Sequence, residues 1–342
     1  MSSLMSRGAV AGEWLHSSAL PHRLPPQAYY AEDHHQLEQT KVFADAWHPI
    51  ATVHELAAGP IRRRLGEQTL RITLLQQGEK PVVEVLELAH PASRRGLREV
   101  RHEELGAFVF VTVGEDAPAL VQSLDEHSVR LLQQPRSRFL RQVAMLEQVQ
   151  PCNWKVPLEN VLESYHVAAL HNNWLARHPE LFKVFSGNRS PGPAHRLLDS
   201  STSYFDSLGA DSTLYRQLLR RLAPLASTDY IHHHQFPNLI IGHTAIFHFV
   251  QTALPLTSTS SLTRMWLLLE LGRAPSQLEQ LLSGLTSNLA RRFIERVMQE
   301  DAAVYAAVQR GLASSRNAGV LGTREERIHQ FHNYLINRVE AA

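Results

Sequence analysis

The first stretch with a readable hydrophobic period spans residues 31–46, where Leu37, Val42, Phe43 and Ala46 fall near helical spacing and predict a helix. Over residues 47–113 the period shortens. Residues 68–75 alternate loosely, 81–88 are rich in Val and Leu, and 107–113 read AFVFVTV, all favouring strands. Gly59-Pro60, Gly66 and Gly78 supply turns between them. Past a polar stretch at 114–118, residues 139–150 read as a strand and 156–170 have helical content. Residues 230–250 and 261–271 are β-prone, and 276–311 carry long helical runs. Strands and helices that segregate in this way predict the α+β class. The expected division is an arm and helix at 1–46, a small β-rich module at 47–125, and a larger α+β domain at 126–342 with an antiparallel sheet flanked by helices.

Composition narrows the functional classes. With 342 residues, 44% hydrophobic and 20% charged, the chain suits a globular protein with a sizeable core. A formal net charge of +1 gives no electrostatic reason to expect nucleic acid or a membrane surface as partner. No apolar run approaches the roughly 18–20 residues of a membrane span, and the N-terminal residues lack the pattern of a secretory signal, so a cytoplasmic location is expected. Cys152 is the single cysteine, which rules out an intrachain disulfide or an all-cysteine metal site. Histidine is abundant at 20 residues, and position must decide which of them carry chemistry.

The most informative segment is 153–171, NWKVPLENVLESYHVAALH. On a helix Glu163 and His166 are i,i+3 neighbours, whereas His166 and His171 stand about 140° apart. Both imidazoles reach one ion only if the helix ends or bends between them. Two histidines at that spacing are weak evidence alone, since surface and core histidines are common.

The wider pattern resembles the α subunits of Rieske-type non-haem iron oxygenases. The resemblance rests on Asn153-Trp154-Lys155, Glu159-Asn160, the Glu163-x-x-His166-x4-His171 spacing, and Asp301 placed eight residues before Gln309-x-Gly311. Phe236-Pro237-Asn238-Leu239, the HQFHNY stretch from His329 to Tyr334, and N-terminal pieces such as Val42-Phe43-x3-Trp47 agree in order along the chain. It implies a mononuclear Fe(II) centre held by His166, His171 and Asp301 in a two-histidine, one-carboxylate triad that leaves positions open for O2 and substrate. Glu300, beside Asp301, is the fallback ligand. The resemblance makes Glu163 the carboxylate that links an iron-bound histidine to the cluster of a neighbouring subunit, with Asn160 and Tyr165 near the same pocket; each could equally be structural.

One part of the family pattern is missing. A Rieske cluster needs two cysteines and two histidines, and no cysteine precedes Cys152. The small β module is therefore expected to be a degenerate Rieske-like domain with no [2Fe-2S] cluster, His90-Pro91 being the nearest echo of a cluster loop. Electrons must then come from a partner, a cluster-bearing homologue or a Rieske reductase, in a trimer or higher hetero-oligomer. The expected reaction is hydroxylation or N-demethylation of a small organic substrate with O2. The alternative is a catalytically silent structural or regulatory subunit of a heteromeric oxygenase. A hydrolytic metal site at His232-His233-His234 with His243 and His248 is a weaker reading, because strand alternation sends the triplet to opposite faces. Glu at position 163 is similar to the branch acting on quaternary ammonium compounds, for which Trp174, Tyr204, Phe247 and Phe249 are candidate cage residues. Arg62–Arg64 and Arg94-Arg95 are candidates for docking an acidic donor, or plain solvated loop charge.

Overall fold

Local sequence signals set most element boundaries. The structure, a computed structural model, describes residues 20–66, 68–77, 80–88, 98–133, 140–163, 166, 170–171, 200–205, 230–244, 246–271, 274–317, 319–322 and 325–340. After β1 (Leu20–Pro21), a 3-10 turn at Pro26–Tyr29 opens on a proline, whose fixed φ suits a first helical turn. It leads into α1 (Glu32–Glu38), prolonged by a π-helical turn over Gln39–Phe43, so the helical period expected there ends at Phe43.

β2 (His48–Thr52) runs into α2 (Val53–Ala57) through a capping box in which Glu55 N donates to Thr52 Oγ1 at 3.2 Å and Thr52 N to Glu55 Oε2 at 3.0 Å. β3 (Ile61–Leu65), β4 (Gln68–Gln77), β5 (Lys80–Glu87) and β6 (Arg98–Glu99) form an antiparallel sheet in that order. β7 (His102–Leu105) and β8 (Phe108–Val111) join β2 in a second sheet, ordered β2-β8-β7. The β7–β8 turn needs Gly106, which has φ +62° and where a Cβ would lie 2.0 Å from the Leu132 carbonyl oxygen. Gly78 lies outside the described residues. α3 (Leu120–Ser123) and α4 (Glu126–Gln133) complete this region.

The larger sheet is antiparallel throughout. In chain order come β9 (Leu140–Gln150), α5 (Lys155–Leu162), β10 (Ser200–Phe205), β11 (Tyr230–Gln235), β12 (Leu239–Thr244), β13 (Phe247–Thr257) and β14 (Ser260–Glu270), with strand order β10-β11-β12-β13-β14-β9. α6 (Gln277–Ser314) is a single helix, opened by a Ser276–Glu279 capping box. β15 (Val320–Leu321) pairs with β1, and α7 (Glu326–Glu340) follows.

Alternation on these strands builds two cores. Gly242 opposes Phe249 and Phe249 opposes Leu267, placing Phe249, Leu267, Ile240 and Met265 on the face covered by α5, α6 and α7. The opposite face carries Ile241, Val250, Trp266 and Leu268 against Trp47, Leu105, Phe108 and Phe110. Further along it, Leu254 and Leu262 pack with Ile50, Leu70, Ile72 and Val85 of the small sheets. Polar ties reinforce that junction: Trp266 Nε1 donates to Glu55 Oε2 at 2.9 Å, and the buried Arg264 pairs with Glu147 at 2.5 Å and donates to the Arg64 carbonyl. Among the described residues no helix is long and apolar enough to cross a membrane.

Candidate metal centre

The segment carrying the candidate ligands does not form one helix. α5 ends at Leu162, and Glu163 is extended at φ −112°, ψ 156°. The expectation that Glu163 and His166 share a helix face is thereby corrected. Glu163 instead folds back onto His166, its Oε2 accepting from His166 N at 3.0 Å and its Oε1 facing His166 Nδ1 at 2.5 Å. The first of these contacts is a carboxylate-to-backbone bond of the kind that caps helices, and His166 itself is helical. His171 stands in a bend after the helical Leu170, so the two imidazoles come together with His171 outside a helix and Glu163 extended before His166.

His166, His171 and Asp301 each offer one atom, and those atoms lie within 4.8 Å of one another. Asp301 Oδ1 is 3.2 Å from His171 Nε2 and 3.8 Å from His166 Nε2. His171 Nε2 and Asp301 Oδ1 are buried and make no hydrogen bond, although they face each other. Orphaned polar atoms aimed at a common point are what a metal ion would satisfy. The outer nitrogens are already committed: a carboxylate can only accept, so His166 Nδ1 donates to Glu163 and His171 Nδ1 donates to Glu300 Oε2 at 2.7 Å. Each imidazole is thereby left with Nε2 pointing inward, the carboxylate–histidine arrangement that orients metal ligands.

Glu300 is thus placed behind His171 rather than in the trio. Arg296, one turn earlier on α6, donates from Nε to Glu300 Oε1 at 2.8 Å. Burial pushes the Glu300 carboxyl up, but Arg296 and His171 outweigh it and hold it below the usual range. Burial likewise pulls His171 down, and the carboxylates of Asp301 and Glu300 reverse this, leaving its pKa above the ordinary value. Three carboxylates and one guanidinium around two imidazoles make a site that favours a cation, and a metal ion and protons compete for the same Nε2 atoms.

Asn160 reaches the Tyr305 hydroxyl at 3.5 Å, one helical turn from Asp301. Tyr165, Trp174, His90 and Arg94-Arg95 lie outside the described residues, as does the side chain of Tyr204. Phe247 and Phe249 are on the helix-covered face of the large sheet. The histidine triplet splits as strand alternation requires. His232 Nδ1 meets the Arg327 guanidinium at 3.0 Å, while His233 Nε2 faces Ser128 Oγ at 2.8 Å and Asp125 at 3.2 Å on the other side. His243 and His248 contact each other through Nδ1 at 2.8 Å, and His248 Nε2 faces Glu270 at 2.9 Å. Among the described residues only His166, His171 and Asp301 make a metal-ligating trio, which leaves the hydrolytic reading without a site. Sequence reading missed the roles of Arg296 and Glu300; the i,i+4 spacing of an arginine and a glutamate was the available signal.

Comparison with known proteins gives the family and the fold. The family described as ring hydroxylating alpha subunit (catalytic domain) matches residues 137–341, more than half of the chain. No curated protein sequence matches. Among solved structures, the quaternary ammonium Rieske monooxygenase CntA, in complex with an inhibitor, is similar with a TM-score of 0.68 at 16% identity, covering 96% of this chain and 98% of that one. Its complex with L-carnitine gives a TM-score of 0.66 at 16% identity, over the same shares. Naphthalene 1,2-dioxygenase from Rhodococcus sp. gives 0.63 at 15% identity, covering 99% of this chain and 98% of that one. These likenesses extend over the small sheets as well as the large one and show the fold. The chain belongs to the ring-hydroxylating alpha subunit family of Rieske oxygenases, and residues 137–341 match its catalytic domain, that of an oxidoreductase.

Proposed function

We propose that the chain is an oxygenase component in which His166, His171 and Asp301 hold one Fe(II), and that it hydroxylates or N-demethylates a small organic substrate. The observation that carries this is the convergence of three ligand atoms within 4.8 Å while Glu163 and Glu300 hold the outer imidazole nitrogens. Bound there, iron would supply the activation of O2 that the protein's own side chains cannot. The chain's part is to keep both Nε2 atoms aimed, to balance the dication with Asp301, and to present the apolar face bearing Phe247 and Phe249 to a substrate. That the similar monooxygenase acts on carnitine supports an N-methylated cation as a substrate class, alongside an aromatic one suggested by naphthalene dioxygenase.

With Cys152 as the only cysteine, a two-cysteine, two-histidine cluster has too few ligands in this chain. The proposed electron source is therefore a partner's Rieske cluster, in a hetero-oligomer that includes a cluster-bearing homologue or a Rieske reductase. The solved quaternary ammonium monooxygenase described in terms of inter-subunit electron transfer supports such a route. In this scheme Glu163, on His166, is the carboxylate nearest the incoming electron.

Iron analysis of purified protein tests the centre. About one Fe per chain is expected for the wild type and a large loss in His166→Ala; no iron, or equal iron in both, would sink the reading. The cysteine count also favours a second reading, a silent subunit that completes a ring with an active homologue. Turnover of the reconstituted heteromer with His171→Ala in this chain alone separates the two, since unchanged turnover assigns the structural role.

A further inference from the structure

The buried residues in the second half of α6 are Asp301, Tyr305 and Gln309, at i, i+4 and i+8 on one face. Each meets the 153–166 segment, in reverse order. Asn153 N donates to Gln309 Oε1 at 2.8 Å, Asn160 Nδ2 reaches the Tyr305 hydroxyl at 3.5 Å, and His166 Nε2 lies 3.8 Å from Asp301 Oδ1. The two stretches are therefore antiparallel, and the contacts are rungs of a polar ladder.

The ends of the ladder differ in kind. At the Asp301 end, ligand atoms face each other without a hydrogen bond. At the Gln309 end the amide is used on both sides, because Nε2 also donates to the Tyr29 carbonyl at 2.9 Å. Tyr29 is itself fixed, its hydroxyl donating to Glu159 at 2.6 Å beside the buried His332. Gln309 thus clamps two backbone groups, an N–H and a C=O, to α6.

Such a clamp matters for the other end. Sliding a helix by one residue moves a side chain about 1.5 Å and turns it about 100°, whereas a metal site tolerates roughly 0.5 Å. Packed apolar side chains of α6 such as Ile294, Met298 and Leu312 oppose such a turn, and a directional contact adds to that resistance. A buried amide resists it strongly, since both of its partners would lose their hydrogen bonds.

We infer that Gln309 is a positioning residue that fixes the register of α6 against the 153–166 segment and so sets the separation of His166, His171 and Asp301. The inference rests on the metal-centre reading above for its main readout. Gln309→Leu removes both contacts, Gln309→Met does so with less change of shape, and Gln309→Glu keeps the Asn153 contact while opposing the Tyr29 carbonyl.

The test is Co(II) titration of the full chain, followed by affinity and by the visible absorption of the bound ion. Folded Gln309 variants are expected to bind Co(II) at least about tenfold more weakly and with an altered spectrum. His243→Gln, buried on the other face of the sheet, should lower the melting temperature with Co(II) affinity unchanged, which separates positioning from general destabilisation. Folded Gln309 variants with wild-type affinity and spectrum overturn the inference. If the wild type itself binds no Co(II), the metal reading falls and the register is read from spin labels at the exposed Leu289 and Val149. A shift of about 1.5 Å in Gln309→Leu then supports the clamp, and an unchanged distance overturns it.

Discussion

His171 and Glu300 face each other from two different segments, Nδ1 to Oε2 at 2.7 Å, and Arg296 holds the other carboxylate oxygen at 2.8 Å. The pairing settles the imidazole's tautomer and leaves only Nε2 for an ion. Glu300→Ala is therefore expected to lower Fe(II) or Co(II) affinity about 10–100-fold with little change in metal-free stability. Metal titration with thermal melts of both forms checks this, and an unchanged affinity would show that Asp301 alone orients the ring.

Lys155 and Glu38 form a fully buried pair at 2.6 Å, and Trp154 Nε1 donates to the same carboxylate at 2.7 Å. Glu38→Ala strands a buried ammonium and an indole N–H, and is expected to cost about 3–5 kcal/mol. Glu38→Met with Lys155→Met should recover much of that. Urea unfolding of the single and double variants measures both, and a double variant no better than the single would refute the account.

Acid sensitivity should come partly from buried imidazoles. Burial pushes His243 down to about 3, helped by the neighbouring His248, and burial pushes His48 down to about 4. Both stay neutral in the fold, whereas an unfolded chain protonates them near 6.5. Their contribution is complete above that pH and is lost as pH falls toward 4 and then 3, at about 1.4 kcal/mol per pH unit for each group. His48→Gln should flatten the acid limb of a stability-against-pH curve by about one such slope, and an unchanged limb would remove His48 from the explanation.

Gly242 lies under the Phe249 ring, where a Cβ would come within 2.0 Å of ring carbons. Gly242→Ala should destabilise by about 1–3 kcal/mol through overpacking. Adding Phe249→Leu should recover part of the loss, and strict additivity in that double-mutant cycle would show that the ring is not the obstacle.

β13 and β14 are buried on both faces and so carry no period of 2. Residues 230–250 and 261–271 could still be read as strands from their β-prone composition, and the long helix could be read from its helical runs. The break at Glu163 could not, because its cause is a carboxylate folding back onto His166 N, and a glutamate in a helical run looks like any other. Asp301 and Glu300 show the same limit. They are adjacent and chemically alike, and only the phase of α6, about 100° per residue, sends one toward the imidazole Nε2 atoms and the other behind His171. The resemblance to oxygenase α subunits chose between them, while spacing alone left both open. The contacts of Gln309 were hidden because its side chain acts on backbone groups 156 and 280 residues away in the chain.

The large sheet has no water-facing side where the small sheets cover it. Trp266, Leu254 and Leu262 lie fully inside because Phe108, Ile50 and Leu70 roof them over. The small module therefore serves the larger one as a lid over its core, independent of any chemistry of its own. Deleting the strands would uncover a greasy plane and invite aggregation. The roof is part of the building, whatever else the small sheets do.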